Sequence, residues 1–61
     1  MDLTTYLALK VKIILNNDYY FLGKVVDADE DSISLIDFKG NRVSLAKETI
    51  KTIQEVSNGN H

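Results

Sequence analysis

The sequence predicts a small, mostly β domain in which a short N-terminal helix precedes a meander of antiparallel strands. Apolar and polar residues alternate along several short segments, as they do in strands with one buried face. Polar turn residues separate these segments, and one glycine, Gly23, lies inside a segment. An interior glycine indicates a bulge or a sharp bend, as when a short sheet curls into a barrel.

The first element is predicted to be a short helix over residues 3–9. Asp2 can cap it, and Leu3, Tyr6 and Leu7 recur at spacings of three and four, which gives one apolar stripe. A helix of two turns is not stable alone in water. The stripe is therefore expected to pack against the sheet.

Two strands are predicted to follow as a hairpin. Residues 10–15 alternate between lysine and apolar side chains, with one interruption, and the turn consists of Asn16, Asn17 and Asp18. Asparagine tolerates the left-handed backbone that tight hairpins require, so residues 19–28 are expected to return as the antiparallel partner.

The second half of the chain continues the meander. Residues 32–38 (SISLIDF) and 42–46 (RVSLA) are predicted strands, separated by the turn sequence KGN. Residues 50–56 are ambiguous, because apolar residues at every third position favour a short helix whereas the β-branched content favours a strand. The tail, residues 57–61, is expected to be flexible, which leaves residues 1–56 as a single domain.

The chain is short, and its composition limits the classes of protein to consider. A domain of 61 residues buries only about 60% of its unfolded surface, so subunit contacts are expected to add stability. Cysteine is absent, and neither a signal peptide nor an apolar run near the ~20 residues of a membrane span is present. We therefore expect a cytoplasmic protein with no membrane segment. The net charge of −2 opposes nucleic-acid binding by bulk electrostatics.

An acidic cluster separates the second and third strands, and it consists of Asp27, Asp29, Glu30 and Asp31. The spacing of its aspartates matches the opening of an EF-hand calcium loop. However, Ser32 stands where that loop needs glycine, and Phe38 stands where it needs the closing glutamate. A pair of carboxylates for acid and base catalysis would need an apolar pocket around one of them. The sequence favours a solvated hairpin tip whose charges discourage edge pairing.

Catalytic groups are scarce in this sequence. The single histidine, His61, is in the tail, and without cysteine neither nucleophilic triads nor zinc sites can be assembled. We therefore predict no enzymatic activity and no cofactor. Tyr6, Tyr19 and Tyr20 are candidates for a base-stacking surface, but tyrosines at such positions are more often packed against a core.

The hairpin resembles the first motif of the Sm-like family, which contains the Sm and LSm proteins and bacterial Hfq. The residues that carry the resemblance are Val11, Ile13, Leu15, Phe21, Gly23, Val25 and Asp29. The likeness extends over nearly the whole chain and is greatest to short, acidic members of cyanophage type. It implies the Sm fold, a short helix followed by a five-stranded, strongly bent antiparallel SH3-like small barrel. Residues 50–56 then become the fifth strand, Gly23 allows the bend, and Asp29 supports the adjoining loop.

The resemblance also implies an assembly. Sm-like subunits associate head to tail, with the fifth strand of one subunit paired to the fourth strand of the next. This chain is accordingly expected to form a closed homo-oligomeric ring of about five to seven subunits. A ring would remove the exposed strand edges and supply the buried area that a small domain lacks.

Rings of this family bind single-stranded RNA near the central pore through two loops. The matching positions here are Glu30, Asp31, Ala46, Lys47 and Glu48. Lys47 keeps the expected character, whereas the base-stacking ring is missing and the acids oppose phosphate. The implied function is a non-enzymatic RNA-binding ring in RNA processing or regulation, in which Lys47 acts together with Lys24, Lys39, Arg42 or Lys51 elsewhere on the ring. The alternatives are a protein-interaction scaffold whose acidic rim meets a basic partner, and a monomeric module that ends in a helix.

Overall fold

The structure, a computed structural model, describes residues 2–56. Five strands and two short 3₁₀ turns make up this part of the chain. The strands are β1 (Lys10–Leu15), β2 (Tyr20–Ala28), β3 (Ser32–Asp37), β4 (Arg42–Ala46) and β5 (Ile50–Glu55). The turns cover Leu3–Tyr6 and Lys47–Thr49. The predicted tail at 57–61, with His61, lies outside the described residues.

All five strands belong to one antiparallel sheet with the order β4-β3-β2-β1-β5. The prediction of a mostly β fold with five antiparallel strands is therefore confirmed. The sheet is not closed, because β4 and β5 are its two edges and pair only with β3 and β1, respectively, within the described chain.

The core lies on one face of this sheet. It draws side chains from β1, β2, β3 and β5 and from the first turn, and consists of Leu3, Val11, Ile13, Val25, Ile33, Leu35 and Ile50. Six of the seven are at most 1% exposed. The described residues provide no second layer of helices or strands, so this degree of burial requires the sheet to curve around its own inner face.

The N-terminal prediction needs correction. The chain forms a 3₁₀ turn over Leu3–Tyr6, capped by Asp2 as expected, rather than a helix over residues 3–9. The helix ends because Ala8 turns into the left-handed region, at φ 67°, where its N–H donates to the carbonyl of Val25. Pairing with β2 thus replaces the second helical turn. Leu3 is buried, as predicted for the apolar stripe, but the prediction is wrong for Leu7, which is 43% exposed.

Residues 50–55 form a strand, which confirms the reading implied by the family resemblance and rules out the C-terminal helix. The apolar spacing of three has a specific cause. Ile50 lies opposite Leu15 and Thr52 opposite Ile14, so the register passes over Lys51. This bulge resets the alternation of side chains and places Ile50 and Ile53 on the same inner face.

Gly23 lies inside β2, between Val11 of β1 and Asp37 of β3. A Cβ atom there would overlap the carbonyl oxygen of Ile36 and lie 2.7 Å from Cδ1 of Leu35. Its backbone does not have positive φ, so space rather than conformation requires glycine. The bulge in β2 comes later, where the register with β3 passes over Val26.

No helix within residues 2–56 is long and apolar enough to cross a membrane.

We expect Gly23→Ala to destabilise the protein by about 3 kcal/mol, because the added methyl group meets backbone atoms that cannot move aside without separating β2 from β3. Urea unfolding followed by circular dichroism measures the change. The matched control is Gly40→Ala, since Gly40 has open space around it but a φ of 88°. Strain at that position should cost about 1–2 kcal/mol. A smaller loss for Gly23→Ala than for Gly40→Ala would contradict the steric explanation.

Candidate functional site

The acidic loop between β2 and β3 is organised by Asp29. Its Oδ1 accepts hydrogen bonds from the N–H groups of Asp31, at 2.8 Å, and Ser32, at 2.9 Å. The hydroxyl of Ser32 donates to the same oxygen at 3.2 Å. These bonds, led by the one from the N–H of Asp31, hold the pKa of Asp29 below its usual range. The four acids of the cluster are exposed, so the cluster is a solvated turn, as predicted, and Asp29 holds the backbone of that turn through these bonds.

A second loop connects β4 to β5 through the 3₁₀ turn Lys47–Thr49. The hydroxyl of Thr49 donates to the carbonyl of Ala46 at 2.7 Å. Asn16, at the end of β1, fixes the turn from the other side: its side-chain amide donates to the carbonyl of Glu48 at 2.9 Å, and its N–H donates to the carbonyl of Thr49 at 2.9 Å. The turn therefore has a defined position relative to the sheet although its residues are exposed.

The two loops meet. The N–H of Lys47 donates to the carbonyl of Asp31 at 2.8 Å. A groove of about 600 Å³ opens beside this contact. It is lined by Asn16, Asp31, Ala46, Lys47, Glu48 and Ile50. A second depression, of about 410 Å³, shares Asp31 and Lys47 and adds Asp2 and Glu30. All five loop residues singled out from the sequence thus line these two adjoining depressions, which we call the loop groove.

Of the five charged residues that line the loop groove, four are acids and one, Lys47, is a cation. The ion pairs formed among residues 2–56 join Arg42 to Asp27, at 3.9 Å, and Lys51 to Asp18, at 2.6 Å. Neither pair involves Lys47, so its ammonium group has no carboxylate partner within this part of the chain. The other cations considered from the sequence, including Lys24 and Lys39, are not part of the groove lining.

Sequence reasoning missed three residues of the groove: Asp2, Asn16 and Ile50. Asn16 was assigned to the hairpin turn, and 32 positions separate it from its partner Glu48. No pattern in the sequence connects positions so far apart. The contact arises because β1 is the neighbour of β5 in the sheet.

Exposed aromatic side chains occupy a different part of the surface. Tyr19 is 65% exposed, Tyr20 53% and Phe38 82%, and with Asp18 they border a shallow depression. The expectation of core packing is therefore wrong for Tyr19 and Tyr20, whereas Tyr6 does pack against the core. No aromatic residue lines the loop groove within the described chain.

Comparison with known proteins gave no match: no family model, no curated protein and no solved structure matches this chain. Function is therefore inferred from the loop groove and the sheet edges. Within residues 2–56, no group of three or more acidic or histidine side chains is arranged to hold a metal ion.

We expect the stability of the protein to fall as the pH drops below about 4, and Asp29 to be one cause of that fall. A folded-state pKa below the unfolded value means that the carboxylate stabilises the fold above the unfolded pKa, and this contribution is lost as the pH falls through the folded pKa. An asparagine at position 29 keeps a side-chain oxygen that can accept these hydrogen bonds, but its side chain does not titrate. The Tm of Asp29→Asn should therefore depend less on pH below about pH 4 than that of the wild type.

Asp31→Asn is the matched control, because it removes a charge from the same loop and leaves the hydrogen bonds to Asp29 in place. Scanning calorimetry from neutral to acid pH compares the three proteins. Identical pH profiles for Asp29→Asn and the wild type would remove Asp29 from this role.

Proposed function

We propose that this chain adopts the Sm fold, an open SH3-like barrel, and is a non-enzymatic subunit of an Sm-like homo-oligomeric ring that binds single-stranded RNA. The observation that carries the proposal is the position of β4 and β5 at the two edges of one sheet. A head-to-tail ring needs these two strands free on every subunit.

The edge strands β4 and β5 can each pair with a strand of another subunit. Each edge strand carries backbone N–H and C=O groups on its outer side that its neighbour in the sheet does not satisfy. A cleft of about 470 Å³ also lies beside β4, between Ser44–Ala46 and the segment leading into β5. If successive subunits are related by a rotation that closes into a ring, β4 of each subunit pairs with β5 of the next. Every edge strand then has a partner.

The RNA site of the proposal is the loop groove, repeated once per subunit. The hydrogen bond between Lys47 and Asp31 joins the two loops that the family uses, and the ammonium group of Lys47 would meet a phosphate. Each subunit adds one such cation to the ring. Several weak interactions of this kind, held at fixed spacing, bind a strand more tightly than one subunit does.

A second candidate function is a protein-interaction scaffold. It is favoured by the charge of the loop groove, in which Glu30, Asp31, Glu48 and Asp2 outnumber Lys47. This acidic rim would attract a basic protein segment and repel phosphate. The two candidates predict opposite effects when the rim acids are neutralised.

We expect native mass spectrometry to show one closed oligomer, and hydrogen exchange to show slow amides in both β4 and β5. Head-to-tail pairing covers both edges at once. A symmetric dimer that pairs β4 with β4, or β5 with β5, would cover one edge and leave the other exposed. Fast exchange in both strands at all protein concentrations would show that the edges stay free, and would contradict the ring.

We expect Lys47→Ala to weaken binding of uridine-rich and adenine-rich single strands and to reduce the slope of log K against log salt by about 0.7 for each phosphate that Lys47 neutralises. The double variant Glu30→Gln/Asp31→Asn should strengthen RNA binding, because it removes negative charge beside Lys47 while Asp29 continues to support the loop. Fluorescence anisotropy over a salt series measures both effects.

Lys39→Ala is the matched control, since it removes the same charge outside the loop groove. Equal decreases in affinity for Lys39→Ala and Lys47→Ala would mean that the charge alone matters and its position does not. A different outcome would favour the protein-interaction scaffold over the RNA site. In that outcome neither the wild type nor any variant binds RNA, and the wild type retains a basic protein partner in a pull-down that the double variant loses.

A further inference from the structure

Three lysines share the outer face of the β1–β2 hairpin. Lys10 lies directly opposite Lys24 in the register, and Lys12 is two residues further along β1. Side chains alternate between the faces of a strand, and the intervening Val11 is 1% exposed in the core. The lysines therefore point away from the core.

This arrangement of charge is unfavourable for the isolated protein. Like charges placed directly opposite each other on neighbouring strands repel and destabilise a sheet. The ion pairs among residues 2–56 use Arg42 and Lys51 and leave Lys10, Lys12 and Lys24 without a carboxylate partner. An anionic ligand would relieve the repulsion, so the free energy of unfolding should rise when one binds.

Apolar groups lie among these lysines. Leu22 pairs directly with Lys12 and is 37% exposed, and Tyr20 pairs with Ile14 and is 53% exposed. The ammonium group of Lys12 lies 4.7 Å from the centroid of the Tyr20 ring. Single exposed apolar residues are ordinary on protein surfaces. Apolar residues set among unpaired lysines give a surface that is complementary to a ligand with both carboxylates and an apolar side chain.

We propose that Lys10, Lys12 and Lys24, together with Tyr20 and Leu22, form a docking surface for an acidic protein segment that carries an apolar side chain. The carboxylates lie against the lysines, and the apolar side chain covers Leu22 and the free part of the Tyr20 ring. Polar nucleic-acid backbone would gain the charge interaction but would leave Leu22 without a partner. The residues of this surface line neither part of the loop groove, so this docking surface is separate from the proposed RNA site and does not depend on it.

The test uses the full-length protein and a short fluorescein-labelled peptide of glutamates and serines with a central Leu-Phe pair. Anisotropy should show binding to the wild type and a loss of about tenfold in affinity for Lys10→Gln/Lys24→Gln. A peptide with serine in place of the Leu-Phe pair should also bind more weakly. The control Lys39→Gln removes a lysine that is not part of this surface and should bind like the wild type.

A stability measurement separates loss of the surface from loss of the fold. Because Lys10→Gln/Lys24→Gln removes the repulsion across the hairpin, its Tm at low salt should be higher than that of the wild type. Absence of peptide binding to the wild type at millimolar concentration overturns the proposal, as does an equal decrease in affinity for the control variant. Tighter binding of a uridine oligomer than of the peptide, abolished in the same variant, would assign the surface to nucleic acid instead.

Discussion

The close approach of β2 and β3 at Gly23 is the interaction on which the rest of this structure depends. A single sheet with no covering layer buries apolar side chains only if it curves around them. At Gly23 the space for a side chain is already filled by the backbone of Ile36 and the side chain of Leu35. Val25 and Leu35, which lie opposite each other on these two strands, are in the core, and the loop that joins the strands meets the turn before β5 through the hydrogen bond from Lys47 to Asp31.

Two bulges interrupt the regular pairing of the sheet. One passes over Val26 in β2 and the other over Lys51 in β5, and each shifts the side-chain alternation by one residue. The second bulge keeps both Ile50 and Ile53 on the inner face, so β5 contributes to the core and also remains an edge strand. It also frees Lys51 to pair with Asp18 at the hairpin turn.

The small net charge conceals an uneven distribution. Most charged residues of the loop groove are acids, and Lys47 is the cation of its lining. The outer face of the β1–β2 hairpin instead carries lysines that have no carboxylate partner among residues 2–56. Two surfaces of opposite sign on one small domain are suited to two different ligands. If the chain forms a ring, each surface is repeated by the symmetry, and weak interactions at each copy act together.

The sequence by itself determined the first four strand segments, the turn positions and the cap at Asp2, because these depend on alternation and on hydrogen bonds within a few residues. Predictions from local patterns were wrong where pairing with a strand distant in sequence determined the backbone conformation. The first helix stops after Leu3–Tyr6 because β2 offers a backbone partner to Ala8, and residues 50–55 look helical because a bulge interrupts their alternation. The groove position of Asn16 was decided by tertiary structure alone, since strand order brings Asn16 beside Glu48, a residue to which no sequence spacing connects it.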